Sequence, residues 1–359
     1  MKRDIDRVFV LQKMNMNKYY IYIIIILLSF SGCNEDKKQY NDADISIVRF
    51  DKMIFDLDTS NIESSFDSLY EKYPAFTNVY FEKVVPLAGY KSDSVLFYKN
   101  LKEFVTDTVL LGVENIVMEV FGDMSDLKAE FNKVFKNISK EFYDVKTPVL
   151  YSYISAFAIQ RFIFEDGGRD GLAFSAELFL GDKFPYNELE HGQNTFSNYL
   201  IRTYNKQHLI KKVLELWVDD KMGDPTGNRA IDMMIKNGKK LYVLKQLIPE
   251  IPDSVLLEYK PAQLDWLAKN EREMWTFYIE NNLFYTTDSY KIKRLTSPAP
   301  NSQALGMPLK SPGMTGNYLG YKIVSAYMKR YNETGLKDLI KLKDAQKLME
   351  RSRFKPQLK

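Results

Sequence analysis

The sequence has very little of the two residues that most often bind transition metals, with one cysteine, Cys33, and two histidines in 359 residues. A lone cysteine excludes a disulfide within the chain. A zinc site would have to be built mostly from carboxylates, which is uncommon. His191 lies in a polar segment and His208 in the first turn of a predicted helix, and neither belongs to a ligand motif. We therefore predict structural or surface roles for both histidines, and no metal or other cofactor.

Motifs that mark common catalytic sites are also absent. The chain contains no G-x-S-x-G elbow, no phosphate-binding Walker loop and no dinucleotide-binding glycine fingerprint. A Ser–His–Asp triad would need one of the two histidines as its base, and nothing marks a partner serine. We predict that the protein is not an enzyme.

Neither sign of charge is in excess over most of the chain. The whole sequence has a formal net charge of +3, and residues 1–32 alone account for it, with five basic residues against two acidic ones. The remaining 327 residues are therefore close to neutral. A nucleic-acid-binding protein needs a basic surface that neutralises phosphates, so we predict no nucleic-acid partner.

The apolar run Tyr19–Phe30 is too short to span a membrane, which needs about 20 apolar residues. A short apolar core after basic residues is typical of a signal peptide, and the small residues before Cys33 resemble a lipobox. We predict that residues 1–32 are a lipoprotein signal peptide, with Met14 or Met16 as an alternative start. Cys33 would then become the lipidated N-terminus, and two or more acyl chains make a stable anchor.

This N-terminal sequence predicts that the protein is located outside the cytoplasm. We expect a lipoprotein of the cell envelope, held to a membrane through lipidated Cys33, and on the periplasmic face rather than the cell surface. Residues 33–44 are polar and without periodicity, which is typical of a flexible tether between lipid and domain.

Hydrophobic periodicity predicts an α+β fold that is predominantly α-helical, with one small β-sheet. We predict a single domain over 45–359, with an N-terminal helical part at 45–145 and a sheet plus helical core at 146–359. Helices are predicted at 62–73, 92–105, 110–121, 126–142, 194–204, 205–221, 228–248, 261–285, 313–331 and 336–349. Strands are predicted at 45–55, 148–159, 161–165 and 172–180, and a loop at 287–309.

The predicted helix 228–248 is the best amphipathic helix in the chain, with Asn228 as its N-cap. Gly238 lies on its apolar stripe, where glycine costs roughly 1 kcal/mol relative to alanine. We therefore expect another backbone to pass close to Gly238. Gly316 and Gly320 are one helical turn apart and favour close helix packing. Their helix, or the long predicted helix before it, is the expected partner.

Ile231 and Ile235 have the spacing of H-E-x-x-H, in which two histidines on one helical face bind zinc. Isoleucine has no lone pair for a metal. Glu271 lies on the apolar stripe of the long predicted helix 261–285, where an unpaired charge is costly. It could be a ligand or general base facing a cleft, a carboxylate paired with Lys, Arg or a Tyr hydroxyl in a structural network, or a solvated rim residue.

A set of short motifs, in this order, resembles the gliding-motility lipoprotein GldB family of the Bacteroidota over essentially the whole mature chain. The motifs are the lipobox with Cys33, Ile47-Val48-Arg49-Phe50-Asp51, Phe179-Leu180-Gly181-Asp182, Met234-Ile235 with Gly238-Lys239 and Leu241-Tyr242, Trp266, Asn270-Glu271, Trp275, Ser311-Pro312-Gly313 with Gly316 and Gly320, and Ser352-Arg353-Phe354-Lys355-Pro356.

The resemblance implies an envelope lipoprotein required for gliding, with other gliding or secretion envelope proteins as partners, near the machinery that drives type IX secretion. Wider relatives of the family look like zinc-dependent peptidases, which implies a degenerate zincin-like core. In that register Ile231 and Ile235 stand at the ligand positions and Asp232 replaces the glutamate. With Glu271 they form a candidate degenerate site whose metal chemistry is lost.

Two other functions stay open at this stage. One is a lipid-anchored metallopeptidase-like hydrolase, with an unusual site near Glu271 that includes one of the histidines. The other is a glycan-binding surface lipoprotein, because aromatic residues make up 14% of the chain and could stack on sugars. That second function needs exposed aromatic rings, with Trp217, Trp266 and Trp275 as the main candidates.

Overall fold

Four short strands form one mixed sheet in the computed structural model, which describes residues 44–189 and 196–356. The strands are β1 (Ile47–Arg49), β2 (Val149–Tyr153), β3 (Arg161–Glu165) and β4 (Asp170–Ser175). They lie in the order β1-β2-β4-β3. β2 pairs in parallel with both β1 and β4, whereas β3 pairs with β4 antiparallel. Every residue of β2 is buried, as expected for a strand covered on both faces.

Helices fill most of the chain around this sheet. Those before β2 are α1 (Phe50–Phe55), α2 (Ile62–Lys72), α3 (Pro74–Val79), α4 (Ser94–Val105), α5 (Thr108–Phe121) and α6 (Ser125–Glu141). Those after β4 are α7 (Asn198–Ile201), α8 (Lys206–Met222), α9 (Ala230–Leu247), α10 (Asp253–Leu256), α11 (Pro261–Lys269), α12 (Glu271–Glu280), α13 (Ser289–Thr296), α14 (Thr315–Arg330), α15 (Leu336–Lys341) and α16 (Ala345–Ser352). The predicted α+β fold, mainly helical with one small sheet, is confirmed.

Apolar side chains form a separate core on each face of the sheet. Alternate residues of a strand point to opposite faces, so Tyr151 packs with α1–α4 while Leu150 packs with the later helices. The core around α1–α4 is rich in aromatic rings, and Phe76 stacks on Tyr151 with 4.6 Å between ring centroids. The sheet therefore separates an aromatic core from the larger core that contains α8, α9 and α14.

Helices α9 and α14 make the closest helix contact in that larger core. A Cβ atom added to Gly238 of α9 would overlap the backbone carbonyl of Gly320 in α14, and one added to Gly320 would overlap the carbonyl of Met234. Gly316 lies one turn earlier, where a Cβ would be 3.2 Å from Cγ of Met234. The two helices thus meet backbone to backbone, and the helix that contains Gly316 and Gly320 is the one that passes Gly238.

The predicted strand at 45–55 is too long, because only residues 47–49 form a strand. β1 ends at Arg49, and Phe50 begins α1. The Arg49 guanidinium binds both carboxylate oxygens of Asp51, with its Nη2 2.7 Å from one of them, and Ser152 Oγ donates to the same carboxylate. These bonds hold Asp51 in the first turn of α1, so the chain turns away from the sheet.

The predicted strands at 148–159 and 172–180 also end early, at Tyr153 and Ser175. Glu177, in the 3₁₀ turn after β4, is fully buried and accepts hydrogen bonds from the backbone N–H groups of Ser155 and Phe157 at 2.6 and 3.2 Å. This carboxyl holds the chain after β2 in a tight turn, in which Phe157 has φ +63°. The turn ends the strand.

The predicted helix 261–285 is two helices, α11 and α12, separated at Asn270. Neither glycine nor proline marks the break. The Asn270 amide donates to the carbonyl of Trp266 at 2.7 Å and ends α11 in the manner of a cap. The predicted loop at 287–309 contains α13, which Asp288 caps by accepting from Tyr290 N. The predicted helix 336–349 is likewise divided, into α15 and α16.

We predict that Gly238→Ala lowers the free energy of unfolding by about 2 kcal/mol, because the new methyl group forces α9 and α14 apart. Gly112→Ala is the matched control. Gly112 lies on α5 with no atom within 4 Å of an added Cβ, so this change is expected to stabilise α5 by up to about 1 kcal/mol. Urea unfolding of both variants measures the difference. Equal stability for the two would mean that the backbone contact has no energetic consequence.

Candidate functional site

Ile231 and Ile235, which have the spacing of two zinc ligands, lie on a face of α9 that is packed into the core. Ile231 and Ile235 are 0% and 2% exposed. Asp232 accepts hydrogen bonds from the backbone N–H and the guanidinium of Arg229, at 3.0 and 2.9 Å. It therefore caps the first turn, where carboxylates are favoured. The predicted cap is wrong by one residue, since Arg229 rather than Asn228 occupies the N-cap position of α9.

Glu271 is buried at the start of α12 and contacts α14. Its carboxylate accepts a hydrogen bond from Tyr318 Oη at 3.0 Å and pairs with Lys322 Nζ at 3.3 Å. This is the structural network that was one of its three possible roles. Within residues 44–189 and 196–356, no group of three or more His, Cys, Asp or Glu side chains could hold a metal ion. The candidate residues on α9 and Glu271 are thus held by different partners.

His208 is buried in the first turn of α8. Its Nδ1 lies 2.9 Å from Oδ1 of Asn205, and the same oxygen accepts from the backbone N–H of His208, which confirms Asn205 as the cap. Burial is the main cause that lowers the pKa of His208 to about 4, so the imidazole is neutral at pH 7. His191, like Cys33 and the predicted signal peptide, lies outside the described residues.

A group of buried charges beside His208 is the feature that sequence reasoning missed. Lys211 Nζ lies 2.8 Å from carboxylate oxygens of both Glu215 and Glu258. Lys212 Nζ is 3.3 Å from the same Glu258 oxygen, and Arg161 Nη2 is 3.5 Å from Glu215. We call these five side chains the charged cluster. Lys211 is 3% exposed and Glu258 is 8% exposed, so the cluster is an interior feature.

The electrostatics of the charged cluster favour the ionised state of its two carboxylates. Burial alone would raise the pKa of Glu258, but the charges of Lys211 and Lys212 outweigh it and hold that pKa below its ordinary value. Burial lowers the pKa of Lys212, and the positive charge of Lys211 adds to this effect. Carboxylates held ionised in this way are suited to binding charge rather than to donating protons at neutral pH.

The charged cluster lines a partly open cavity of about 240 Å³. Helices α8, α9 and α14 form its walls together with the segment around α10 and the chain after α13. The lining residues are Arg161, Lys211, Lys212, Glu215, Asn237, Lys240, Leu241, Leu256, Leu257, Glu258, Tyr259, Thr296, Pro298, Met314, Asn317 and Tyr318. The cavity is therefore lined by both cationic and amide side chains and by several apolar ones.

The sequence holds only a weak sign of this cavity. Lys211 and Glu215 have the i,i+4 spacing of an ordinary salt bridge on a solvated helix face. Glu258 is 47 positions after Lys211, and the chain brings them together only through the packing of α10 against α8. The one sign of a buried cationic site in the sequence is the pair of adjacent lysines, Lys211 and Lys212, which lies between apolar residues of the helix.

Several residues that carry the family resemblance have definite structural contacts. Asp51 is fully buried in its contact with Arg49. Tyr259 Oη donates to the carbonyl of Gly313 at 2.8 Å. Phe354 packs edge-on against Trp275 with ring centroids 5.3 Å apart. These motifs therefore support the fold at places that are distant from one another in the sequence.

We predict that Lys211→Met lowers the free energy of unfolding by about 3 kcal/mol, because two buried carboxylates lose their shared cation. Lys269→Met is the control, since the pair of Lys269 with Asp265 is exposed and should contribute less than about 1 kcal/mol. Chemical denaturation at pH 7 measures both. A loss for Lys211→Met no greater than that of the control would show that the charged cluster does not stabilise the fold.

Comparison with known proteins gives a family for the chain. The family model described as gliding motility protein GldB matches residues 33–356. Searches of the curated proteins and of the solved structures found no significant match. None of the helices in residues 44–189 and 196–356 is long and apolar enough to cross a membrane. Because the match extends over most of the sequence, the chain belongs to the gliding motility protein GldB family, a family of gliding-motility lipoproteins.

Proposed function

We propose that this protein supports gliding as a lipid-anchored component of the cell envelope that acts through contacts with other proteins, without catalysis. Family membership supplies the gliding role and the envelope location. The proposal adds the anchor at Cys33, a position on the periplasmic face, and partners in or near the type IX secretion machinery. One observation supports the non-catalytic part of the proposal. The face of α9 at which a zinc peptidase would hold its metal is packed against the rest of the protein.

That face is filled by the protein itself. Ile231 and Ile235 are buried among core side chains, and one turn further along α9 the backbone of α14 lies against Gly238. A catalytic helix in a zinc peptidase must instead present two ligands to a cleft. The packing of α9 therefore supports a structural role for the helix.

A surface groove near α13 supports action through protein contacts. Leu305 and Tyr290 line this groove, which has a volume of about 410 Å³, and they are 82% and 62% exposed. Lys291 and Arg294 lie at the same groove. Large apolar side chains next to cationic ones are typical of protein interfaces, where buried aromatic and aliphatic anchors supply most of the binding energy. We call this surface the α13 groove.

The two alternative functions receive less support from the structure. Glu271, the proposed centre of a hydrolase site, is paired with Lys322 and Tyr318. A glycan-binding surface needs exposed aromatic rings, but Trp217 is fully buried, and Trp266 and Trp275 pack partly buried against the core. Glu271 therefore lacks the open arrangement of a hydrolase site, and the three tryptophans provide no exposed surface on which sugars could stack.

We predict that Leu305→Asp reduces cell spreading to the level of the gene deletion while the protein remains at its normal abundance, because the change removes the most exposed apolar anchor of the α13 groove. Val109→Asp is the matched control. Val109 is 72% exposed on α5, away from the groove, and its variant should spread normally. Normal spreading of Leu305→Asp cells would contradict a docking role for the groove.

A second prediction concerns the anchor. Cys33→Ala should move the protein from the membrane fraction to the fraction released by osmotic shock, since the acyl chains would no longer be attached. A Ser31→Ala variant, which keeps a small residue before the cysteine, should stay in the membrane fraction. Retention of Cys33→Ala in membranes would contradict lipid anchoring.

A further inference from the structure

We propose that the cavity lined by the charged cluster is a binding site for a small organic acid, a monocarboxylate with a short apolar chain. Its carboxylate would lie against Lys212 and Arg161, and its carbon chain against the apolar side chains of the lining. The proposal rests on this cavity alone and does not depend on the α13 groove, so the two can fail separately.

The charge balance of the cavity calls for one negative charge. Lys240 also lines the cavity, but it is paired with Asp219 at 2.9 Å. The charged cluster then has three cations, Arg161, Lys211 and Lys212, against the two carboxylates of Glu215 and Glu258. An uncompensated buried charge is costly, and a bound monoanion would neutralise it.

Two donors in the cluster have capacity for a ligand. Lys212 reaches only a Glu258 oxygen that Lys211 already binds at the shorter distance of 2.8 Å, compared with 3.3 Å for Lys212. The Arg161 side chain is 25% exposed, and its Nη2 is 3.5 Å from Glu215, which is longer than a well-formed hydrogen bond. Burial is the main cause that lowers the pKa of Lys212; the charge of Glu258 opposes this effect, and the positive charges of Lys211 and Arg161 add to it. A carboxylate accepts from such donors in charge-assisted hydrogen bonds.

The volume of the cavity and its uncharged lining residues indicate what size of acid could bind. The cavity lining also contains apolar side chains, those of Leu241, Leu256, Leu257 and Met314. The volume of about 240 Å³ lies below the usual 300 to 1,000 Å³ of sites for drug-sized ligands. Asn237 and Asn317, which are joined by a hydrogen bond of 2.7 Å, fix one side of the cavity. These features favour a compact acid over a bulky or multiply charged one.

Calorimetric titration of the purified full-length protein with butyrate, acetate, butyramide and inorganic phosphate tests the proposal. We expect one butyrate site per chain. Acetate should bind about tenfold more weakly because it lacks two methylene groups. Butyramide has the same shape without the charge and should bind at least about tenfold more weakly. Inorganic phosphate should also bind more weakly than butyrate, because it has no carbon chain to contact the apolar side chains of the lining.

Variants connect the binding to the cavity. Lys212→Met should weaken butyrate binding at least about tenfold. It should keep the unfolding midpoint close to that of the wild type, because Lys211 still binds both Glu215 and Glu258 at 2.8 Å. Arg161→Gln provides a second variant in case Lys212→Met does not fold. Lys245→Met is the control, because Lys245 pairs with Asp253 outside the cavity lining, and it should bind butyrate normally.

The opposite results would overturn the proposal. Absence of saturable butyrate binding would exclude the site, and equal binding of butyrate and butyramide would exclude recognition of the carboxylate. Tighter binding of phosphate would assign the cavity to a different anion. Butyrate binding that survives both Lys212→Met and Arg161→Gln would place the acid elsewhere on the protein.

Discussion

The contact between the backbones of α9 and α14 is the constraint on which the larger core depends. It requires glycine at two positions, Gly238 and Gly320, that face each other across the helix pair. Once the two helices are this close, the side chains of the turn before Gly238 have no route to a cleft and become core. The same contact positions Asn237 and Asn317 side by side, and these residues form part of the charged cavity. Packing and the candidate ligand site therefore have a common origin.

Local patterns in the sequence were sufficient for most helices but not for their ends. The apolar stripes of α6, α8 and α9 have the spacing of a helix, and the structure places helices there. The break at Asn270 could not be foreseen, because it depends on one amide reaching the carbonyl of Trp266 rather than on glycine or proline. The early end of β2 depends on Glu177, which lies more than twenty residues further along the chain. Such contacts exist only after folding.

The candidate sites show the same difference between local sequence patterns, which could be read in advance, and contacts between distant residues, which could not. The carboxylate of Glu271 was foreseen as a buried group in need of a partner, since its position on an apolar stripe is a local property. Its partners on α14 are not local. The charged cluster could not be predicted, because Lys211 and Glu215 have the spacing of an ordinary surface salt bridge. Glu258, which completes the buried network, comes from a segment distant in the sequence. The family was recognisable from the order of short motifs along the chain, and several of these motifs make such contacts in the fold.

The first contacts of the described chain have a mechanical consequence for the proposed lipid anchoring at Cys33. The described chain begins at Asp44, which forms an ion pair of 2.9 Å with Lys128 of α6, and the next backbone N–H donates to Asn132 of the same helix at 2.8 Å. Strand β1 and the bonds between Arg49 and Asp51 follow within a few residues. An anchor at Cys33 in a moving cell would transmit tension first to these contacts. Resistance to pulling depends on the rate of unfolding under load, so the edge strand and its flanking polar bonds, rather than the large core, would set the force at which the domain yields.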